Sequence, residues 1–262
     1  MIILKKELRQ NWKAFLIWTA VIAFMLVICV LMFPEMSKEM DSVTDMFSNM
    51  GSFSAAFGMD RVNFGEIMGF YGVECGNMLG IGGGFFAAYL GISILSKEEK
   101  EHTAEFLFSH PISRSRVLAE KLGSVFLQIL AMNVIIVGIS ILSFQIIHED
   151  IAVKEFFLLH LAYLILQFEI ACICFGISAF LRQNGIGIGL GLAAILYFVN
   201  IICNLSEQAE FLKYITPFAY GEATDIISNA SLELPLVGLG VVVSIVFVIL
   251  GFGKYTKKDL AA

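Results

Sequence analysis

The sequence predicts an all-α fold: a polytopic membrane protein with six transmembrane helices, an amphipathic helix at the N-terminus and a short helix on a cytoplasmic loop. Three observations lead there. Of 262 residues, 58% are hydrophobic and only 15% charged, where a soluble domain carries roughly a quarter charged residues; the mean hydropathy is +0.83. The apolar residues cluster into six stretches near the ~20 residues that a helical crossing needs. The basic residues gather in alternate connections between those stretches, as they do in a chain that crosses a bilayer repeatedly.

Residues 1–14 place Leu4, Leu8 and Trp12, with Phe15 just beyond, three or four apart, while Lys5, Lys6, Arg9 and Lys13 fall on other faces. A basic helix with an apolar stripe and a tryptophan lies along a membrane surface; the alternative is that it forms the charged front of the first span. Spans are expected at 15–33 and 68–95, so that residues 15–95 hold two crossings and the outer segment between them. Residues 96–117 form a cytoplasmic loop, spans at 118–146, 156–181, 185–204 and 234–252 fill residues 118–252, and 253–262 is a tail. The first apolar stretch is long and no small-x-small cleavage site follows it, so it reads as a retained span and not a secretory leader.

Lysine and arginine placement sets the orientation. With the N-terminus inside, the cytoplasmic face carries four in the N-terminal tail, then Lys97, Lys100, Arg114, Arg116 and Lys121 in the loop, Arg182 in the next turn, and Lys254, Lys257 and Lys258 in the tail. That is 13 of 17 basic residues, leaving only Lys38, Arg61, Lys154 and Lys213 outside. Both termini are therefore expected in the cytoplasm. The net charge of −6 comes largely from outer carboxylates such as Glu35, Asp45, Glu207, Glu222 and Asp225. They read as a solvated rim, or as a weak attraction for cationic cargo, and they argue against a nucleic-acid partner.

In the first outer segment Met36, Met40, Val43, Phe47 and Met50 recur at heptad-like intervals, a pattern for a helix packed on the spans or resting on lipid. Gly72, Gly76, Gly80 and Gly84 recur every four residues in span two, and Gly185/Gly189 interleave with Gly187/Gly191 in span five. On a spanning helix such spacing lets backbones approach closely. Five cysteines all lie in apolar stretches without a C-x-x-C pair, which marks them as small buried hydrophobes.

Ionisable groups inside spans are costly and face a bundle interior, a cavity or a partner. Glu169 lies 14 residues from Glu155 along span four, about 21 Å at helical rise and so near the midplane. Gln167 is close to it in depth, and Asn133 sits mid-span in span three. These three are the candidates for a translocation path, the alternative for Glu169 being a structural hydrogen bond between spans. Glu74 falls at the outer rim.

The loop between spans two and three stands out for its charge. Ser96-Lys97-Glu98-Glu99 has the form of a capping box, so span two is expected to run on into the cytoplasm. Thr103 can cap a second short helix with Glu105 near its positive end, and Pro111 stops it. Ser113 then caps the run that becomes span three. Phe106, Leu107 and Phe108 are left exposed on a cytoplasmic tip, a surface for a partner unless it folds back onto interfacial lipid.

Here the chain resembles a family. Residues 99–114, Glu-Lys-Glu-His-Thr-Ala-Glu-Phe-Leu-Phe-Ser-His-Pro-Ile-Ser-Arg, are similar to the cytoplasmic loop of ABC-2 type transporter permeases, the transmembrane subunits of bacterial ABC exporters, with His102 where glycine is common. Leu212 to Tyr220, Leu-Lys-Tyr-Ile-Thr-Pro-Phe-Ala-Tyr, followed by Ala223-Thr224-Asp225-Ile226-Ile227, resembles a Pro-Phe-aromatic segment between spans five and six. The six-span layout fits over the whole length. The resemblance implies that Thr103, Glu105, Phe106, Leu107, Phe108 and Pro111 belong to a coupling helix docking on a cytosolic ATPase, that residues 1–14 are an elbow helix, and that two permease subunits work with two ATPase subunits in the bacterial cell membrane. ATP and magnesium would sit on the partner: this chain has no G-x-x-x-x-G-K-[ST] phosphate loop, and it is expected to hold no cofactor or metal and to catalyse no reaction itself.

Other classes fit less well. Histidines 102, 110, 148 and 160 form no H-E-x-x-H, and no G-x-S-x-G occurs, which removes the signatures of an intramembrane hydrolase. An ion-coupled secondary transporter would accommodate Glu169 and the glycine-rich spans, yet the chain shows no repeat of two similar halves. A membrane immunity protein that binds a toxin is the further alternative. For a permease, the small outer segments and the Met- and Phe-rich spans favour export of hydrophobic or amphipathic cargo, peptides before drugs or lipids.

Overall fold

The computed structural model describes residues 2–39, 65–97, 112–182 and 185–258, with Gly51, Ser54, Ala56, Met59 and Asn63 between the first two of these ranges. All regular structure among them is helical. Six helices are long and apolar enough to cross a membrane: α1 (Ile2–Met36), α2 (Ile67–Ser93), α3 (Arg114–Ile147), α4 (Val153–Ser178), α5 (Ile186–Leu205) and, after the short α6 (Ala223–Asn229), α7 (Leu234–Thr256). Their order and positions follow the six apolar runs of the sequence, because an isolated backbone in hydrocarbon satisfies its own polar groups only as helix.

Helix α4 is the central element. It packs against α2 on one side and α7 on another, and also meets α3; α1 runs along α3, and α5 lies on α2. Helices α2 and α4 are the most enclosed, whereas α5 and α7 leave most of their apolar surface outside. Exposed Ile188, Ile195, Phe198, Val242, Ile245 and Ile249 on these two helices would be untenable in water over so continuous a face; in a bilayer they meet acyl chains. The glycine stripe of α2 faces inward as its spacing predicts. Gly76 and Gly80 sit against Tyr163 of α4, Gly72 against Ile227 of α6, and Gly84 against Ile170 and Phe218.

Several elements differ from the sequence expectation. Helix α1 runs unbroken from Ile2 to Met36, so the amphipathic segment is continuous in helix with the first apolar run. Helix α2 ends at Ser93 and Ile94 to Ser96 form a turn; Glu98 and Glu99 of the Ser96 box lie outside the described residues. Lys121 Nζ donates to the Ile94 carbonyl at 2.9 Å, which gives that buried acceptor past the helix end a partner. The middle of α2, Gly76–Gly82, is π-helical, a local widening in a glycine-rich run. Ser113 caps α3 as expected, its hydroxyl accepting from Arg116 N at 3.3 Å. Of the methionine-bearing outer helix, Met36 closes α1, while Met40, Val43, Phe47 and Met50 lie outside the described residues.

The largest departure is the segment between α5 and α7. Its carboxylates read as a solvated rim, but part of the segment dips into the bundle. After the 3-10 helix Glu207–Tyr214, Thr216 Oγ1 donates to the Leu196 carbonyl at 2.7 Å. Leu196 lies nine residues inside the end of α5 at Leu205, about 14 Å down the helix. Phe218 is buried there against Tyr197, with ring centroids 5.4 Å apart. Non-helical backbone is tolerated at such depth only where protein surrounds it, and α2, α4 and α5 do so.

Candidate functional site

The start of α1, the end of α2, the start of α3 and the end of α7 lie at one end of the bundle, where buried charge ties the helices together. Glu7 on α1 is fully enclosed. Its Oε1 accepts from Lys121 Nζ of α3 at 2.7 Å, and its Oε2 pairs with Lys97, the residue just past the α2 turn. Lys121 is equally enclosed and also holds the Ile94 carbonyl. One carboxylate thus fastens the feet of three helices. Beside it, Glu120 Oε2 accepts from the backbone N–H groups of Ile3 and Leu4 at 3.1 and 3.4 Å, a negative group at the positive end of α1.

A second set of bonds closes the same end. Arg114 Nη1 donates to the carbonyls of Thr256 and Lys258 at 3.1 and 2.8 Å, satisfying orphan acceptors at the C-terminus of α7. Lys258 Nζ reaches the Leu181 carbonyl at 2.6 Å. The segment joining α2 to α3 is therefore flanked on both sides by residues fixed to the rest of the bundle. The predicted partner-contact residues on it, Thr103, Glu105, Phe106, Leu107, Phe108 and Pro111, lie outside the described residues.

Deeper in the bundle the three predicted path residues separate into two groups. Asn133 Nδ2 of α3 donates to Gln167 Oε1 of α4 at 2.6 Å and to the Ile129 carbonyl at 2.9 Å. Gln167 Nε2 donates to the Leu79 carbonyl at 3.3 Å, inside the π-helical part of α2. The glutamine amide lies where a Cβ on Gly83 would have to be, so the bare backbone of Gly83 makes room for it. Asn133 and Gln167 form a buried brace across α2, α3 and α4.

Glu169 is two residues on and faces elsewhere, since successive helical positions are 100° apart. Its Oε2 accepts from the Tyr220 hydroxyl at 2.8 Å, which links α4 to the segment that dips between α5 and α7. A Cβ on Gly240 of α7 would collide with this carboxylate, so the absence of a side chain there lets α7 pass. Glu169 is 6% exposed and lines a groove of about 400 Å³ between α3, α4 and α7. It also lines a small cavity toward the far end with Lys213. Lys213 is not its counter-ion: it pairs with Glu210 at 2.7 Å, and that bond draws the Glu210 carboxyl below its usual range.

At the far end a cavity of about 550 Å³ is lined by Glu210, Glu222, Asp225 and Glu233, with Lys213 the one cation on its wall among the described residues. Glu222 accepts from Asn200 and Asn204, each at 3.2 Å. Nearby, the Tyr71 hydroxyl joins Ser140 and His160 at 2.8 and 2.9 Å, binding α2, α3 and α4. Glu74, expected at the rim, is half-buried, with the Cys29 thiol 3.8 Å from its Oε2. All five cysteines are free, and among the described residues no group of three or more His, Cys, Asp or Glu could hold a metal ion.

Sequence reasoning missed Glu7 and Tyr220. The signal for Tyr220 was the apolar, aromatic run Tyr214 to Tyr220, too greasy for a solvated loop. The signal for Glu7 was a lone acid among Lys5, Lys6 and Arg9. Compared with known proteins, residues 1–260 match the family model described as ABC-2 family transporter protein. No curated protein matches the chain.

Proposed function

The chain belongs to the ABC-2 family of transporter proteins, a membrane permease whose family works with an ABC ATPase, and from that premise we propose that it is the permease subunit of an exporter of hydrophobic or amphipathic cargo, peptides foremost. ATP hydrolysis, with its magnesium, takes place on a separate cytosolic ATPase; this chain is not an enzyme and holds no cofactor. It acts as a dimer of permease subunits in a bacterial cell membrane, with both termini and the α2–α3 connection in the cytoplasm.

The observation that carries this reading is the Glu7–Lys97–Lys121 junction. Work delivered to residues 98–111 by a partner reaches Lys97 on one side and the first turns of α3 on the other. Because Glu7 joins both to α1, the three helices would move as one unit, with α4 following through the Asn133–Gln167 brace. The docking contact is assigned to Phe106, Leu107 and Phe108, with Thr103, Glu105 and Pro111 shaping the helix that presents them. Glu169 is assigned to the path of the cargo, and Asn133 and Gln167 to the brace that holds α2, α3 and α4 beside it.

The test uses the chain co-expressed with its ATPase and reconstituted in vesicles. Phe106→Asp places a charge in an apolar docking groove, a substitution that costs several kcal/mol when unpaired. It abolishes ATPase association and ATP-dependent export while the six-helix bundle stays folded. Association and export at wild-type levels would overturn the coupling assignment.

A further inference from the structure

The groove between α3, α4 and α7 is open at the side of the bundle. Ile245 and Ile249 on its rim are more than half exposed, at 53% and 63%, so in a bilayer it faces the acyl chains. Its volume of about 400 Å³ is within the range of small-molecule sites, which are apolar with a few placed polar groups. This groove has that make-up: Phe126, Phe168 and Val248 are among its walls, and among the described residues Glu169 is its one charged side chain.

The chemistry of Glu169 says what would fill it. The residue is 94% enclosed by the protein, since only 6% of it is exposed. One carboxylate oxygen accepts from Tyr220; among the described residues the other has no hydrogen-bond partner, and no lysine, arginine or histidine pairs with Glu169. Lys213, the cation lining the adjoining cavity, is taken by Glu210. An ionised carboxylate in such a place is costly until a cation arrives with its own apolar body. A neutral lipid chain would fill the walls and leave the acid unmatched.

We infer that this groove is a lateral binding site for a cationic amphiphile dissolved in the membrane, with an ammonium or guanidinium at Glu169 and an apolar body against α3 and α7. The inference rests on the assignment of Glu169 to the cargo path and names the class of cargo.

The experiment measures equilibrium binding to the full chain in lipid nanodiscs. The probes are dansyl-Phe-Lys amide and its neutral twin, dansyl-Phe-norleucine amide, which differ only by the ammonium. The lysine probe binds saturably and more tightly than its twin. Glu169→Gln, which keeps the shape and a hydrogen-bond acceptor for Tyr220, weakens the lysine probe by roughly thirtyfold or more and leaves the twin within about twofold. Ser244→Phe, which fills the groove, weakens both. Equal binding of the two probes, or no effect of Glu169→Gln on the lysine probe, would overturn the site. So would a copy-to-copy disulfide formed efficiently by Ile245→Cys, because the groove would then be covered by a second copy of the chain. Charge-selective binding with unaltered export by Glu169→Gln in the ATPase-bearing complex would instead sink only the path assignment.

Discussion

Glu7 of the first span and Lys121 of the third form an ion pair at 2.7 Å with neither side chain open to solvent. A buried pair gains little over a well-packed apolar one, but removing one partner strands the other charge and costs about 3–5 kcal/mol. Glu7→Gln therefore lowers the unfolding temperature in nanodiscs sharply, because it strands Lys121 and releases Lys97. Adding Lys121→Met to Glu7→Gln removes the stranded charge and restores part of the loss, the Ile94 carbonyl then lacking its lysine. Thermal denaturation of the two variants beside wild type checks this, and a milder double variant is the decisive result.

The same pair bears on coupling. If Glu7 joins the feet of α1, α2 and α3, then the double variant, though partly restored in stability, hydrolyses ATP in the complex with less cargo moved per ATP. The measurement is export and phosphate release from the same vesicles. An unchanged ratio would reduce the junction to a structural role.

The Asn133–Gln167 bond is a test of the brace. Gln167→Leu removes the Asn133 amide's partner on α4, leaving it only the Ile129 carbonyl of its own helix, and frees the Leu79 carbonyl in the π-helical part of α2. Unmatched buried groups cost about 1–3 kcal/mol. Asn133→Leu and Gln167→Leu together should cost less than their sum, with a coupling of about 0.6–1.7 kcal/mol, the range seen for interhelical bonds in membranes. A double-mutant cycle of unfolding free energies gives that number directly.

Tyr220 and Glu169 should act as a unit. Tyr220→Phe keeps the packing and removes only the hydroxyl that Glu169 Oε2 accepts from at 2.8 Å. Glu169→Gln slows export without disturbing assembly, Tyr220→Phe slows it less, and the double variant is no slower than Glu169→Gln alone. Initial rates of uptake into inverted vesicles separate this from independent roles, in which the two effects would multiply.

The spans were legible because hydrocarbon admits few alternatives: long apolar runs there become helices, and the runs at 68–95 and 118–146 coincide closely with α2 and α3. Glu169 was legible for the same reason, as a charge where charges are costly. The Thr216–Leu196 bond and the burial of Phe218 were not. A segment that mixes Glu207, Glu210 and Lys213 with aromatics has no single period, and only tertiary packing makes it dip inward. Glu7 was hidden because a charge near a helix end reads as solvated, and its burial depends on Lys121, 114 residues away.

The glycines of α5 show where spacing alone falls short and give the last prediction. Gly185/Gly189 and Gly187/Gly191 have the same four-residue spacing, yet the two pairs face opposite surroundings. A Cβ on Gly189 would lie 2.7 Å from Ile92 and 3.1 Å from the Ala88 carbonyl of α2, whereas one on Gly187 meets nothing within 4 Å. Close backbone approach is what such residues provide in a membrane, where helices gain association from packing and not from expelling water. Gly189→Ala forces α5 off α2, because part of the obstacle is backbone that cannot turn aside, and the overpacking costs about 1–3 kcal/mol. Gly187→Ala leaves the α2–α5 contact untouched and is neutral or slightly stabilising through better helix propensity. Denaturant titrations of the two single variants should differ by more than 1 kcal/mol in this sense, at about the scale of one backbone clash; equal effects would mean that α5 does not lie on α2 by its Gly189 face.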